Sequence, residues 1–290
     1  MMITPDKQAF FHKFQNGHVI YAVLLCIAAI MVNACSGNET AVSAISSDDV
    51  FAPAERANVV LIIVDTLRAD RLGMKRNGTA LMPFMRSFAE ESWNFTNATA
   101  QATWTRPSMA SLFTSLYSGV HNQQFGIRLK LVEGQDHTVD VLPETIETMA
   151  TYLKKAGYIT AGIQANWNME PVFGVAQGFD SYVMIPHEQN AADVTTLTLN
   201  TLSEMGSPFF LYVHYIDPHA PYEPPAAYRG LFGELPEITP TDRELLADYG
   251  NAYYAEKMKW DFGFRETPPI NQLSDAGKEY VKIMYDGEVR

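Results

Sequence analysis

Cysteine is nearly missing: the 290-residue sequence has two, Cys26 and Cys35, both close to its start. Downstream of Cys35 a thiolate nucleophile, a disulfide framework and a cysteine-based zinc site are therefore excluded. Positive charge is also in short supply. Lysine and arginine number 21 against 33 aspartates and glutamates, a net charge of −12, and no long basic run occurs. That balance excludes nucleic acid as a partner, because phosphate contacts need clustered Lys and Arg. A Walker-type Gly-rich loop, a GxGxxG and an internal repeat are all absent, so neither common nucleotide-binding motif is present. What is there suits a globular chain, with 47% hydrophobic and 19% charged residues.

The first segment carries an address. Lys7 and Lys13 precede an apolar run from Val19 to Val32. Its length fits the apolar region of a signal peptide and falls short of the roughly 20 residues of a membrane-spanning helix. It closes on Val32-Asn33-Ala34-Cys35, followed by Ser36-Gly37-Asn38-Glu39. This resembles the lipobox of bacterial lipoproteins, in which the Cys becomes the acylated first residue. The resemblance implies a signal peptide at 1–34 and lipidation at Cys35. It also implies an extracytoplasmic protein of a bacterium, held by a lipid anchor on the periplasmic or outer-membrane side. Residues 35–56, with Ser, Asn, Asp and Ala prominent, read as a tether without a core of its own.

From residue 57 to 290 the pattern is that of one folded domain. Asn58–Asp65 (NVVLIIVD) is a continuous β-branched run that predicts a strand buried on both faces of a parallel sheet. Pro83 opens a helical pattern with Phe84, Met85, Phe88 and Ala89 on one face. Phe95–Ala100 reads as a short strand. Pro107 sits in the first turn of a helix running to Tyr117 and closed near Gly119, and Pro143 begins another that reaches Lys155 and stops at Gly157. Tyr158–Ala165 is the next strand, Asp193–Met205 a helix, and Pro208–Ile216 (PFFLYVHYI) a second fully apolar strand ending on Asp217. Residues 218–240, rich in Pro, are irregular, and helical patterns follow at Asp242–Trp260 and from Asp275 onward. Strands alternating with helices predict an α/β fold, a doubly wound, mostly parallel sheet with helices on both faces. Ligands of such sheets sit beyond the carboxyl ends of the strands, where Asp65 and Asp217-Pro218-His219 fall.

Several segments in order carry a resemblance to a family. Asn58–Asp70 (NVVLIIVDTLRAD) resembles the opening strand of sulfatases, within the alkaline phosphatase superfamily. Phe95-Thr96-Asn97-Ala98 and Thr105–Thr114 (TRPSMASLFT) resemble their nucleophile segment. Phe209–Tyr222 (FFLYVHYIDPHAPY) resembles the segment supplying a substrate-binding histidine, and Gly178-Phe179-Asp180 and Tyr285–Arg290 (YDGEVR) stand in family order. The likeness covers residues 58–290. It implies a metal-dependent hydrolase of sulfuric esters, with Asp65 and Thr105 on a divalent cation, calcium by resemblance or zinc or manganese if phosphoesters are cleaved. Thr105 is then the nucleophile and His219 a substrate contact or general acid. Arg106 and Ser108 are the further candidates for substrate binding.

The residues support these roles by their own chemistry. A carboxylate ending a buried strand can bind a hard cation through oxygen, whereas outside this context Asp65 reads as a cap or ion-pair partner. Thr105 falls at or near a helix N-cap, where it either caps the helix or offers a hydroxyl beside free N–H groups that favour an anion. Asp70 reads as structural, and His214 as a satisfied core histidine. His121, His137 and His187 have no companions at ligand spacing.

The sequence also departs from the family pattern. Sulfatases carry Cys or Ser where Thr105 stands, matured to formylglycine, and Arg where Met109 stands; threonine cannot form that aldehyde, so no formylglycine is expected. Threonine nucleophiles do occur in phosphoester-cleaving and phosphoethanolamine-transferring relatives. No Lys-Trp-His motif surrounds Asn166-Trp167-Asn168. The later Asp-His or Asp-Asn metal pair is missing, and the last helix ends on Val289-Arg290 without a Gly stop, which points to a truncated frame or fragment. Three readings stand. One is a sulfuric-ester hydrolase and another a phosphoester hydrolase or phosphotransferase using Thr105. The third is a catalytically inactive surface lipoprotein with the same fold. An integral headgroup transferase is weakened, since such relatives carry several membrane helices.

Overall fold

The computed structural model describes residues 56–124, 127–128, 138–186, 191–247 and 272–290. The expected signal peptide, Cys35 and all of the tether but Arg56 lie outside the described residues, as do His137, His187 and most of the helical pattern running to Trp260. In chain order the elements begin with strand β1 (Val59–Val64), a short ribbon of β2 (Lys75–Arg76) and β3 (Thr79–Ala80), and helix α1 (Pro83–Glu90). Helices α2 (Thr105–Thr114) and α3 (Ser118–His121) follow, then a second ribbon of β4 (Ile127–Arg128) and β5 (Thr138–Val139). Next come α4 (Met149–Lys155), β6 (Ile159–Gln164), β7 (Ser181–Met184), α5 (Ala191–Glu204), β8 (Phe209–Tyr215) and α6 (Asp275–Val289).

Four of these strands form one parallel sheet in the order β1-β8-β6-β7. The apolar run Phe209–Tyr215 pairs on both sides, with Val59 opposite Phe210 and Ile159 opposite Phe209. Its alternate side chains fill two cores. Phe210 and Tyr212 face Met109 and Phe113 of α2, Ala150 of α4, Tyr158 and Phe173. Leu211 and Val213 face Ala161 and Ile163 of β6 and Val194 of α5. Each such side chain contributes about 1.5–3 kcal/mol on burial, so a sheet apolar on both faces folds with helices over each. The expected α/β architecture is what forms.

Local expectations fared unevenly. The first strand is not buried on both faces: β1 lies at an edge of the described sheet, and Val60 and Ile62 are 47% and 57% exposed because α5 packs over β6 and β8 instead. The apolar face of α1 is likewise open, with Phe84 76% exposed and stacked on Phe88 at 6.4 Å. Phe95–Ala100 forms no strand, no described strand pairing with it, and Phe95 is exposed. Helix α2 ends at Thr114 rather than Tyr117, because Ser115 turns into the left-handed region (φ 57°) and its N–H caps Ser111 O at 2.8 Å. Helix α4 begins at Met149, not Pro143: Pro143 starts a separate turn, and Thr148 Oγ1 accepts from Thr151 N to cap the helix proper. It does stop before Gly157, which sits at φ +84°.

Candidate active site

The site is assembled from chain segments that follow β1, β6 and β8 and from the start of α2. Asp65 extends the β1 pairing by one residue, donating its N–H to Tyr215 O at 3.0 Å. Thr66 then turns into the left-handed region (φ 52°), which breaks the strand and leaves the Asp65 side chain at the strand's carboxyl end. That turn is held from two sides. Tyr285 of α6 donates from its hydroxyl to Thr66 O at 3.0 Å and accepts from Arg68 N at 2.9 Å, while Thr66 Oγ1 donates to Pro218 O at 3.0 Å.

Thr105 is the first residue of α2, and the residue in the N-cap position is Trp104, in extended conformation and with no side-chain cap bond. The Thr105 hydroxyl is therefore free for another use. Its Oγ1 donates to Asp65 Oδ2 at 3.1 Å. Asn166, just past β6, donates from Nδ2 to the same Oδ2 at 2.5 Å and reaches Thr105 Oγ1 at 3.3 Å. It is itself fixed by Gln164 Oε1 on its N–H at 2.6 Å and by Asn168 N on its Oδ1 at 2.8 Å. His214, one residue before the end of β8, brings Nε2 to 3.2 Å of Oδ2. A cavity of about 440 Å³ opens beside these groups, lined among others by Asp65, Trp104, Thr105, Ser108, Asn168 and His219.

Burial would raise the Asp65 carboxyl, which is 8% exposed. The hydrogen bond from His214, the charges of His214 and His219, and the Asn166 amide outweigh it, and its pKa is lowered. Asp65 is thus a fixed carboxylate and a weak base. Asp217 behaves oppositely: burial raises it, against one N–H bond from Ala191, and it points to the start of α5 rather than to Thr105.

Of the other candidates, Ser108 lines the cavity one turn after Thr105, and His219 lines it with Nδ1 at 2.7 Å from Ala220 O. Arg106 is not among the cavity-lining residues. It is 3% exposed, its guanidinium lies 3.5 Å over the Phe173 ring, and its Nη2 donates to Asn168 Oδ1 at 3.2 Å. Burial pushes it down to about 10, opposed by the charges of Asp140 and Glu170. Asp70 is structural, paired with Arg68 and Arg71. His214 is satisfied and fully buried, as expected of a core histidine, but one of its partners is Asp65. Asn166 went unrecognised in the sequence, its only signal being a polar residue at the end of a strand.

A profile of the Sulfatase family matches residues 57–255. The chain belongs to the sulfatase family. It is 31% identical to arylsulfatase G of Rattus norvegicus over 148 residues, covering 47% of this chain and 25% of that protein. With the arylsulfatase of Clostridium perfringens it shares 24% identity over 243 residues, 68% of this chain and 49% of the relative. This sulfatase-family chain therefore spans half or less of the length of these curated relatives. Two solved phosphonate monoester hydrolases share its fold. The protein of Silicibacter pomeroyi superimposes with a TM-score of 0.50 at 20% identity, and that of Agrobacterium radiobacter with 0.51 at 17%. Each covers 81% of this chain and 56% of the other.

Members of this superfamily generally depend on divalent metals. Among the described residues of this sulfatase-family chain, no group of three or more His, Cys, Asp or Glu side chains is placed to hold one. Asp65 and Thr105 offer two ligand residues where calcium takes about six to eight oxygens, and Asp65 Oδ2 already accepts three hydrogen bonds. The described donor set does not by itself fit the expected cation.

Proposed function

We propose that this chain carries the nucleophile half of an ester hydrolase acting on small sulfuric esters, with Thr105 as nucleophile. The observation supporting it is the Thr105 hydroxyl, tied to a buried carboxylate at 3.1 Å and bordering an open cavity at the first turn of a core helix. The positive end of α2 favours an anionic ester there. Asp65, a weak base, orients the Thr105 hydroxyl and takes its proton only as the new bond forms. In that step the Thr105 oxygen–sulfur bond forms and the ester oxygen–sulfur bond breaks. The leaving oxygen gains a proton from His219. Water then attacks the sulfur, the Thr105 oxygen–sulfur bond breaks and hydrogen sulfate leaves. Asp65 returns its proton to the Thr105 oxygen, and the second water proton restores His219. Because Ala220 O only accepts, His219 carries its hydrogen on Nδ1, so it donates through Nε2 only when doubly protonated. Calcium at Asp65 would need about four to six oxygens beyond one each from Asp65 and Thr105. The lipobox-like segment ending at Cys35 supports a lipid-anchored, extracytoplasmic setting.

A phosphoester reading is favoured by one feature, the threonine itself, which cannot become formylglycine. Incubating the full chain with aryl sulfate, aryl phosphate and aryl phosphonate separates the two. The sulfuric-ester reading expects turnover of the sulfate, lost by at least about a thousand-fold in Thr105→Ala. Turnover of the phosphorus esters alone replaces it with the phosphoester reading. A folded chain inert to all three leaves a binding protein that keeps the fold.

A further inference from the structure

Asp65 is approached from behind by a pair of buried residues that the chemistry above does not use. Tyr212 and His214 are alternate residues on the central strand β8, fully buried on the face that packs against α2. The Tyr212 hydroxyl lies 2.6 Å from His214 Nδ1, and His214 Nε2 lies 3.2 Å from Asp65 Oδ2. Thr105 Oγ1 meets the same oxygen at 3.1 Å. The four side chains thus form one continuous row from the core to the cavity.

We infer that this row has a single direction: Tyr212 donates to His214, His214 donates to Asp65, and His214 is a positioning residue for the Asp65–Thr105 pair. For a neutral His214 ring the hydrogen-bonding capacities allow no other arrangement. Burial raises the Tyr212 phenol, so it keeps its hydrogen, and His214 Nδ1 is the acceptor at hand. A bare Nδ1 puts the ring hydrogen on Nε2, aimed at the carboxylate. The opposite tautomer would set a nitrogen lone pair against Asp65 Oδ2 inside the core, where an unmatched polar contact is expensive. With Nε2–H in place, Oδ2 accepts from His214, Asn166 and Thr105 together. Such a carboxylate cannot rotate away. The Thr105 hydrogen is thereby directed inward, and the oxygen lone pair that Asn166 Nδ2 does not engage is left toward the cavity. Outer partners of this kind hold reacting groups in place without touching substrate.

The inference rests on the Thr105 reading for its functional consequence but not for its geometry, and two experiments keep those apart. The protein has seven histidines, few enough to resolve by ¹⁵N-histidine NMR of the full chain. The expected signal for His214 is hydrogen on Nε2 with Nδ1 bare, changing to a mixture of tautomers in Tyr212→Phe. Hydrogen on Nδ1 in the parent, or an unaltered tautomer in Tyr212→Phe, overturns the assignment. Should Tyr212→Phe fail to fold, Asp65→Asn serves instead: the Nε2–H resonance must move, and an unmoved resonance overturns it equally. On whichever ester proves to be a substrate, His214→Leu is expected to lower kcat by about ten- to a hundred-fold with KM within about two-fold. His214→Gln, which can donate from its own Nε2, is expected to recover part of that loss. Equal losses in both variants reduce His214 to core packing. An absence of turnover on every ester removes the Thr105 reading and leaves the NMR result to decide this one.

Discussion

Removing the carboxylate of Asp286 tests how the site is held. Asp286 lies in α6 with no exposed surface, and its two oxygens accept separately from Arg71 Nε and Arg76 Nε, each at 2.8 Å. Arg71 and Arg76 have side-chain exposures of 8% and 15%, so neither can turn its charge fully to water. Replacing Asp286 with Asn keeps the shape, removes the negative charge and sets an NH₂ donor against a guanidinium. Breaking a buried pair in this way costs about 3–5 kcal/mol, since the remaining partners, Asp70 on Arg71 and Glu279 on Arg76, are half-exposed and only partly compensate the two buried charges. For a domain whose total stability is roughly 5–15 kcal/mol, that is a large share. With a urea slope of about 3 kcal/mol per molar, the midpoint of unfolding should fall by roughly 1–1.7 M in Asp286→Asn. Loss of activity at low urea should accompany it, because the neighbouring Tyr285 grips the turn after Asp65. A midpoint within about 0.3 M of the parent, less than 1 kcal/mol on that slope, would refute the claim that this pair of ion bonds ties α6 to residues 71–76.

Other outcomes follow from single positions. Burial, with the charges of Asp217 and Glu223, pushes the Glu288 carboxyl from 4.5 up to about 8, against a hydrogen bond from Glu223 N. The folded state therefore prefers Glu288 protonated. Its contribution is complete below pH 4.5 and lost as pH rises through about 8, so the stability difference between parent and Glu288→Gln should move in favour of the variant over that range. Urea titrations at both ends of the window show it, and a constant difference counts against it. Gly178 sits at φ +87°, and an added Cβ would fall 2.2 Å from Thr151 N, a backbone atom at the start of α4. Gly178→Ala should destabilise by roughly 2–5 kcal/mol, read from its melting temperature. Phe113→Ala, which removes a ring packed edge-on against Tyr212 at 5.0 Å, should cost about 3–5 kcal/mol by denaturant titration.

How much of this could be read in the sequence divides along physical lines. Strands β1 and β8 were legible because largely apolar runs of six or seven residues between turn signals have few other uses. Helix α4 was misplaced because a proline looks like a first-turn residue, while the cap that counts, Thr148 onto Thr151 N, is a weaker pattern. Phe95–Ala100 had β-propensity but no neighbour to pair with, and pairing is not a local property. The same distinction governs the site. Asp65 and Thr105 were visible as types in the right order, and they do meet. Asn166 and His214 reach Asp65 from 101 and 149 residues away, and nothing in their immediate surroundings signals it. Arg106 showed the reverse error: its position beside Thr105 suggested a hand for the substrate, but helix geometry carries the next residue to another face, over Phe173.

The grip of Tyr285 on the turn after Asp65 has a bearing on biosynthesis. Thr66 O and its hydroxyl clasp are 219 residues apart in the chain, and Arg68 N is 217 from the same hydroxyl. At about 5–20 residues per second, a ribosome delivers that stretch over roughly 10–45 s. For that interval the nascent chain holds its first strand, with the Asp65 carboxylate at its tip, before the residue that secures the turn has been made. Vectorial synthesis from the N-terminus therefore cannot complete this site early. The Tyr285 clasp closes only after residue 285 emerges, so the turn after Asp65 stays without it until both ends of this 219-residue stretch have been made.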